Sequence, residues 1–102
     1  MAEPTKRKIA LTNLASDQID RLYHKLLEKG AKQEAEVLMD DFLDVVFGDI
    51  AYFPDRFPVF TGIKDKGDYR MGLLVGDFRV IFQIMLDRVV VLLIMHESEL
   101  FA

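Results

Sequence analysis

Apolar residues recur along this chain in different rhythms, and each change of rhythm marks a change of structure. From Leu14 to Lys29, the residues Ala15, Ile19, Leu22, Tyr23 and Leu26 follow helical spacing. Thr12 or Asn13 is placed to cap the unpaired donors at the helix start. Gly30 gives a left-handed stop, with the charge of Lys29 suited to the C-terminal end. A second stripe, Ala35, Leu38, Phe42, Val45 and Val46, predicts a helix from about Lys32 to Phe47 that ends at Gly48. Glu34, Asp40, Asp41 and Asp44 lie largely off that stripe. The short connection between the two helices implies an antiparallel hairpin.

Residues 49–67 carry no clear period. The piece Tyr52-Phe53-Pro54-Asp55-Arg56-Phe57-Pro58 resists helix and central strand alike, because proline removes a donor and restricts its predecessor. It reads as a packed loop with Phe53 and Phe57 buried. Three strands are predicted beyond it, about Asp68–Val75, Phe78–Met85 and Val89–His96, with turns at Gly76-Asp77 and Leu86-Asp87-Arg88. In the middle strand Phe78, Val80, Phe82 and Ile84 alternate with Arg79, Ile81, Gln83 and Met85. The first set is expected beneath the helices and the second on the opposite face. The last strand is apolar throughout, which suits a central position. Ile9-Ala10-Leu11, behind Lys6-Arg7-Lys8, suits an N-terminal strand. The expected fold is a single α+β domain over residues 1–102: an antiparallel sheet of about four strands backed by a helical hairpin, with both Arg70 and Arg79 projecting from the open face.

Composition narrows the chemistry. The chain has 102 residues and no cysteine, which excludes disulfides, thiolate metal sites and cysteine nucleophiles. Half its residues are apolar, enough for a core without staples. The longest apolar run, Val89–Met95, is far short of the roughly 20 residues of a membrane span, and no signal-peptide pattern follows the start. A cytoplasmic protein is expected. The net charge of −4 sits entirely in residues 1–55, with seven Lys and Arg against eleven Asp and Glu. That is a poor surface for a polyphosphate, since binding there gains mainly from counterion release by Lys and Arg.

Several segments together resemble a known family. IALTNLASDQIDRLYHKLLEKG, FPDRFP, DYRMGLLVGDFRVIFQI and RVVVLLIMHESELF are similar to the ParE/RelE superfamily of bacterial type II toxins, over Lys8 to Phe101. Leu11, Thr12, Ala15, Gln18-Ile19, Leu22 and Tyr23 look like the ParE side. The resemblance implies a small toxin neutralised when the C-terminal segment of a cognate antitoxin wraps around it. ParE-like members poison DNA gyrase, whereas RelE-like members cleave mRNA in the ribosomal A site.

Carried over residue by residue, the nuclease pattern is incomplete. Arg79 falls where the ribonuclease branch places an arginine against the RNA phosphate. Arg70 falls where a basic residue of the preceding strand stands, and His96 opens the terminal segment. Where the family often has a basic residue and then a tyrosine, this chain has Glu97 and Phe101. RNA cleavage without a metal needs cations on the developing phosphorane, together with an acid and a base. Arg79, Arg70 and His96 are the catalytic candidates, and Lys64 and Lys66 join the two arginines as candidate target-binding cations. The plainer alternative is a solvated sheet face on which Arg70 and Arg79 pair with Asp68, Asp77 or Asp87, at about 0–1 kcal/mol per pair.

No cofactor motif is present. Two histidines 72 positions apart give no metal spacing. His24 and the Asp40-Asp41-Asp44 cluster read as solvated helix surface. Leu73, Val75, Ile81, Met85 and Met95 exceed what one sheet face needs, and together they predict a surface for an antitoxin or for a second copy of the chain. The first expectation is thus a toxin acting by protein binding, with gyrase as target. The alternatives are a ribosome-dependent mRNA endoribonuclease that needs no metal, and a degenerate member that binds a partner without toxicity.

Overall fold

The computed structural model describes residues 5–100. Strand β1 (Lys8–Leu11) leads into helix α1 (Asn13–Glu28), and helix α2 (Lys32–Asp44) returns antiparallel to it. Strands β2 (Asp68–Leu74), β3 (Phe78–Ile84) and β4 (Arg88–His96) form a meander, and a short helix α3 (Glu97–Leu100) follows. The sheet order is β1-β4-β3-β2. It is mixed rather than wholly antiparallel as expected: β1 runs parallel to β4, from Lys8 opposite Arg88 to Leu11 opposite Val91.

Helix α1 is set by its ends. The Thr12 hydroxyl accepts from the Ala15 N–H at 3.1 Å. At the other end Gly30, with φ of 76°, lets its own N–H reach the Leu27 carbonyl and that of Ala31 reach Leu26. That pair of hydrogen bonds closes the helix on a residue which needs no Cβ.

Helix α2 departs from expectation, because Gly48 does not end it. The helix widens over Val45–Ile50 into π-type winding, with more residues per turn, and then regains ordinary winding through Tyr52. Val46 and Ile50 in the widened segment and Ala51 just after it are all fully buried. Pro54 is what stops the chain, since the residue before a proline avoids helical geometry and Phe53 is accordingly non-helical. Pro54–Arg56 form one tight 3-10 turn in the segment read as loop.

The core lies between the sheet and the helices. Ala15, Ile19, Leu38, Phe42, Val46 and Ile50 face Leu74, Val80, Phe82, Val89, Val91 and Ile94, in the alternation expected for β3. Phe57 meets Phe82 edge-on at 5.4 Å between ring centres. Between β3 and β4 the register slips by one residue, with Ile81 opposite Leu93 and Phe82 opposite Val91, so Leu92 is the extra residue of a bulge.

Strand β1 is too short to cover β4 beyond Val91. Side chains and backbone from α1 finish the job. The Thr12 N–H donates to the Val91 carbonyl at 3.0 Å, the Thr12 hydroxyl to the Leu92 carbonyl at 2.6 Å, and the Gln18 carboxamide accepts from the Ile94 N–H at 2.7 Å.

Phe82 is fully buried and Leu43 is about half exposed. Phe82→Ala is therefore expected to lower unfolding free energy by about 3–5 kcal/mol, and Leu43→Ala by less than about 0.5 kcal/mol, measured by urea denaturation.

Candidate functional site

Backbone pairing decides where the candidate cations lie. Arg79 stands opposite Leu73 on one side and Met95 on the other, and shares the outer face of the sheet with them. Arg70 stands opposite Phe82, and His96 opposite Phe78, both of which belong to the helix-facing set. Successive residues of a strand alternate between faces. Arg70 and His96 therefore lie on the side opposite Arg79, which corrects the expectation that both arginines project from the open face. Arg70 is near the β2 edge and His96 at the end of central β4.

Each group is also differently engaged. Arg70 donates to the Asp55 and Phe57 carbonyls at 3.0 and 2.8 Å, and its Nε meets the Asp68 carboxylate at 2.6 Å. The Asp68 bond holds the guanidinium more firmly protonated than usual, against the opposing effect of burial. These bonds tie the Pro54–Pro58 loop to β2, so Arg70 acts as a clamp. Arg79 is only 16% exposed at its side chain, with Nη2 at 3.6 Å from Glu97 and Nη1 donating to the Phe78 carbonyl. The Glu97 carboxylate, standing where the resemblance implies a basic residue, thus lies against the guanidinium.

His96 packs edge-on against Phe78 at 5.2 Å, and its Nδ1 lies 2.8 Å from the Ser98 hydroxyl and 3.2 Å from the Ser98 N–H. It shares a hollow of about 330 Å³ with Gln18, Arg21, Lys25 and Glu99. Arg21 and Lys25, one helical turn apart on α1, were missed in the sequence reading. Their spacing put them on one face, but nothing local showed that His96 would be their neighbour. Lys64 and Lys66 are exposed in the loop before β2. Phe101 lies outside the described residues.

A metal-free RNA-cleaving site needs donors converging on one phosphate, each about 3 Å from its oxygens. The two arginines and the histidine do not converge. His24, as expected for solvated helix surface, is exposed and bonds to its own turn at Asp20. Asp41 spends its carboxylate on the Val75 N–H at 2.8 Å.

The apolar candidates divide as well. Leu73 is 62% exposed, and Val75 and Met85 are more than a third exposed, while Met95 is half-buried. Ile81 has no accessible surface: Met71 and Leu93 pair with it on either side, so it supports the outer face from within and offers nothing to a partner. Val75 also lines a groove of about 660 Å³ with Leu26, Val37, Leu38 and Phe78, between the α1–α2 turn and the β2–β3 hairpin. Gly76 and Asp77 both take positive φ at that hairpin tip, 79° and 62°. No helix among the described residues is long and apolar enough to cross a membrane.

A family model described as the ParE toxin of the type II toxin–antitoxin system, parDE, matches residues 9–101. The chain belongs to the ParE toxin family. A solved structure titled "Chromosomal ParDE TA system from P. aeruginosa" contains a chain similar to it in fold, with a TM-score of 0.69. The two are 15% identical, over 89% of this chain and 96% of that one. No curated protein matches by sequence. The ParE-side residues Thr12 and Gln18 turn out to be the α1 groups that close β4.

In this ParE-family chain the Tyr69 phenol lies beside the loop carrying Lys66, 3.3 Å from the Asp65 carboxylate. Burial first, and then the Asp65 charge and hydrogen bond, raise its pKa above 10.0. The folded state thus holds the phenolic proton after the unfolded chain has lost it. Stability contributed by Tyr69 is complete below pH 10.0 and declines as pH rises through the folded-state value. Urea midpoints measured from about pH 9 to pH 11 should fall less steeply for Tyr69→Phe than for the parent.

Proposed function

We propose that this ParE-family protein is a cytoplasmic toxin that inhibits DNA gyrase by binding it, and that a cognate antitoxin neutralises it. The observation that carries the mode of action is the separation of Arg79 from Arg70 and His96 across the sheet. Arg70 is engaged with two loop carbonyls, and Arg79 is next to Glu97. A phosphodiester would find no set of converging donors there, whereas a protein partner needs only surface. Exposed Leu73 and Val75 beside the groove provide apolar surface suited to the antitoxin. The choice of gyrase rests on the ParE family membership.

Purified protein titrated into a gyrase supercoiling assay should abolish supercoiling, and induction in cells should arrest growth with a DNA-damage response while translation continues. Undiminished supercoiling at excess protein would rule the target out. The mode of action has its own test. Replacing a positioned acid or base in a nuclease costs about 10²–10⁴ in rate. In a binding toxin His96→Ala should change the concentration needed for half-inhibition by less than about tenfold, provided circular dichroism shows the variant folded.

A further inference from the structure

The acidity of this chain is carried largely by its helices. Asp17, Asp20, Glu34, Glu36, Asp40 and Asp44 are all exposed on α1 and α2. One corner of the sheet has the opposite character. Lys6, Arg7 and Lys8 are consecutive, and none makes an ion pair among the described residues. Lys8 stands directly opposite Arg88 in the β1–β4 register. The next pair along, Ile9 and Val89, packs in the core, so alternation turns Lys8 and Arg88 to the outer face. A helix layer about 10 Å thick, roughly one Debye length at 0.1 M salt, separates that face from the solvent side of the helices. The helical carboxylates are therefore largely screened from it.

The corner is also anchored. The Arg7 N–H donates to the Ala51 carbonyl at 2.9 Å, which pins the basic run to the helical segment after α2. Like charges placed opposite one another destabilise a sheet, and Lys8 with Arg88 is such a pair. The neighbouring Asp87 carboxylate is 77% exposed and approaches the Arg88 Nε at 4.0 Å, too far for a hydrogen bond. Most of the positive charge is left uncompensated. Asp87 and the basic run line a hollow of about 450 Å³ with Tyr52 and Leu86. Leu86 is fully exposed at the β3–β4 turn.

We propose that this corner binds duplex DNA. Lys6, Arg7, Lys8 and Arg88 neutralise backbone phosphates, and Leu86 enters the adjacent groove as an apolar contact. The partner follows from the gyrase reading above, because a toxin on gyrase lies beside the duplex which that enzyme holds. The corner gives it a second hold there. Duplex DNA is favoured over an anionic membrane by Asp87, a carboxylate that would have to follow Leu86 among the acyl chains. The number of cations sets the salt dependence. Each phosphate neutralised contributes about −0.9 to the slope of log K against log salt, so three or four give roughly −2.7 to −3.6.

The test titrates the full chain into a labelled duplex of about 20 base pairs and reads fluorescence anisotropy across salt concentrations. Binding should weaken with salt at that slope. The double variant Lys6→Glu, Lys8→Glu should bind at least about tenfold more weakly at about 50 mM salt, with a slope shallower by about 1.8. The pair Lys29→Glu, Lys32→Glu makes the same change in net charge at the α1–α2 turn and should bind within about twofold of the parent. Leu86→Ala should weaken binding without altering the slope, since an apolar contact releases no counterions. The melting temperature of Lys6→Glu, Lys8→Glu should stay level or rise, because the second change sets opposite charges across from one another at Arg88.

No binding to the duplex at about 50 mM salt, or equal loss in both double variants, overturns the site. Corner-dependent binding to phosphatidylglycerol vesicles or to single-stranded RNA, without binding to the duplex, overturns it as well. The supercoiling assay keeps the two readings apart. If the duplex is not bound and Lys6→Glu, Lys8→Glu inhibits gyrase as the parent does, the site fails and the gyrase target stands. If the duplex is bound through this corner and gyrase is never inhibited, the DNA contact stands and the gyrase target fails.

Discussion

The docking of α1 onto β4 is the constraint on which the rest of the molecule depends. Strand β4 is central, but its neighbour β1 ends at Leu11, leaving the half of β4 beyond Val91 without a strand on that side. A buried peptide group without a partner costs about 1–3 kcal/mol, so a central strand cannot be left half-open. Thr12 and Gln18 supply the missing partners from the helix. The same threonine caps α1. One residue thus ties the helix start to the strand, and Leu92, the bulge residue, offers the carbonyl that receives it. With β4 held in this way, its alternation is fixed, and so is the face on which each following side chain lands.

That alternation has a functional consequence. His96 falls on the helix side and Met95, beside Arg79, on the outer side. Arg79 and His96 start from opposite faces, because the backbone directs their Cβ atoms to opposite sides of the sheet. Arg70 is held apart by a different device, the loop it clamps. The α+β fold thus places these cations apart, in structural contacts of their own. The surface left over includes exposed apolar side chains at the end of β2, Leu73 and Val75.

Much of this was legible in the chain. The Thr12 cap, Gly30 stop and helical stripe gave α1 to within a residue or two, and alternation about Gly76-Asp77 gave β2 and β3. These are local signals, and local chemistry fixes them. Gly48 misled because glycine usually ends a helix. Widened winding leaves no mark of its own in a sequence, and the burial of Ile50 and Ala51 that stabilises it is a tertiary event. The parallel pairing of β1 was equally hidden, since a four-residue strand carries no information about its neighbour. Arg70 was placed on the wrong face because its orientation depends on the register with Phe82, which periodicity within β2 alone does not set: Tyr69, Met71 and Leu73 form no clean polar or apolar row against Arg70 and Gly72. The burial of Ile81 came from its neighbours Met71 and Leu93 rather than from its own strand.

The closure of β4 by α1 is most directly tested by amide exchange at Ile94 in Gln18→Ala. The account predicts a loss of about 1–3 kcal/mol in unfolding free energy, together with faster exchange at the Ile94 amide. Exchange at neighbouring Val80 and Phe82 should slow or quicken only as global stability does. An Ile94 amide that still exchanges only through global unfolding, in a variant as stable as the parent, would contradict it.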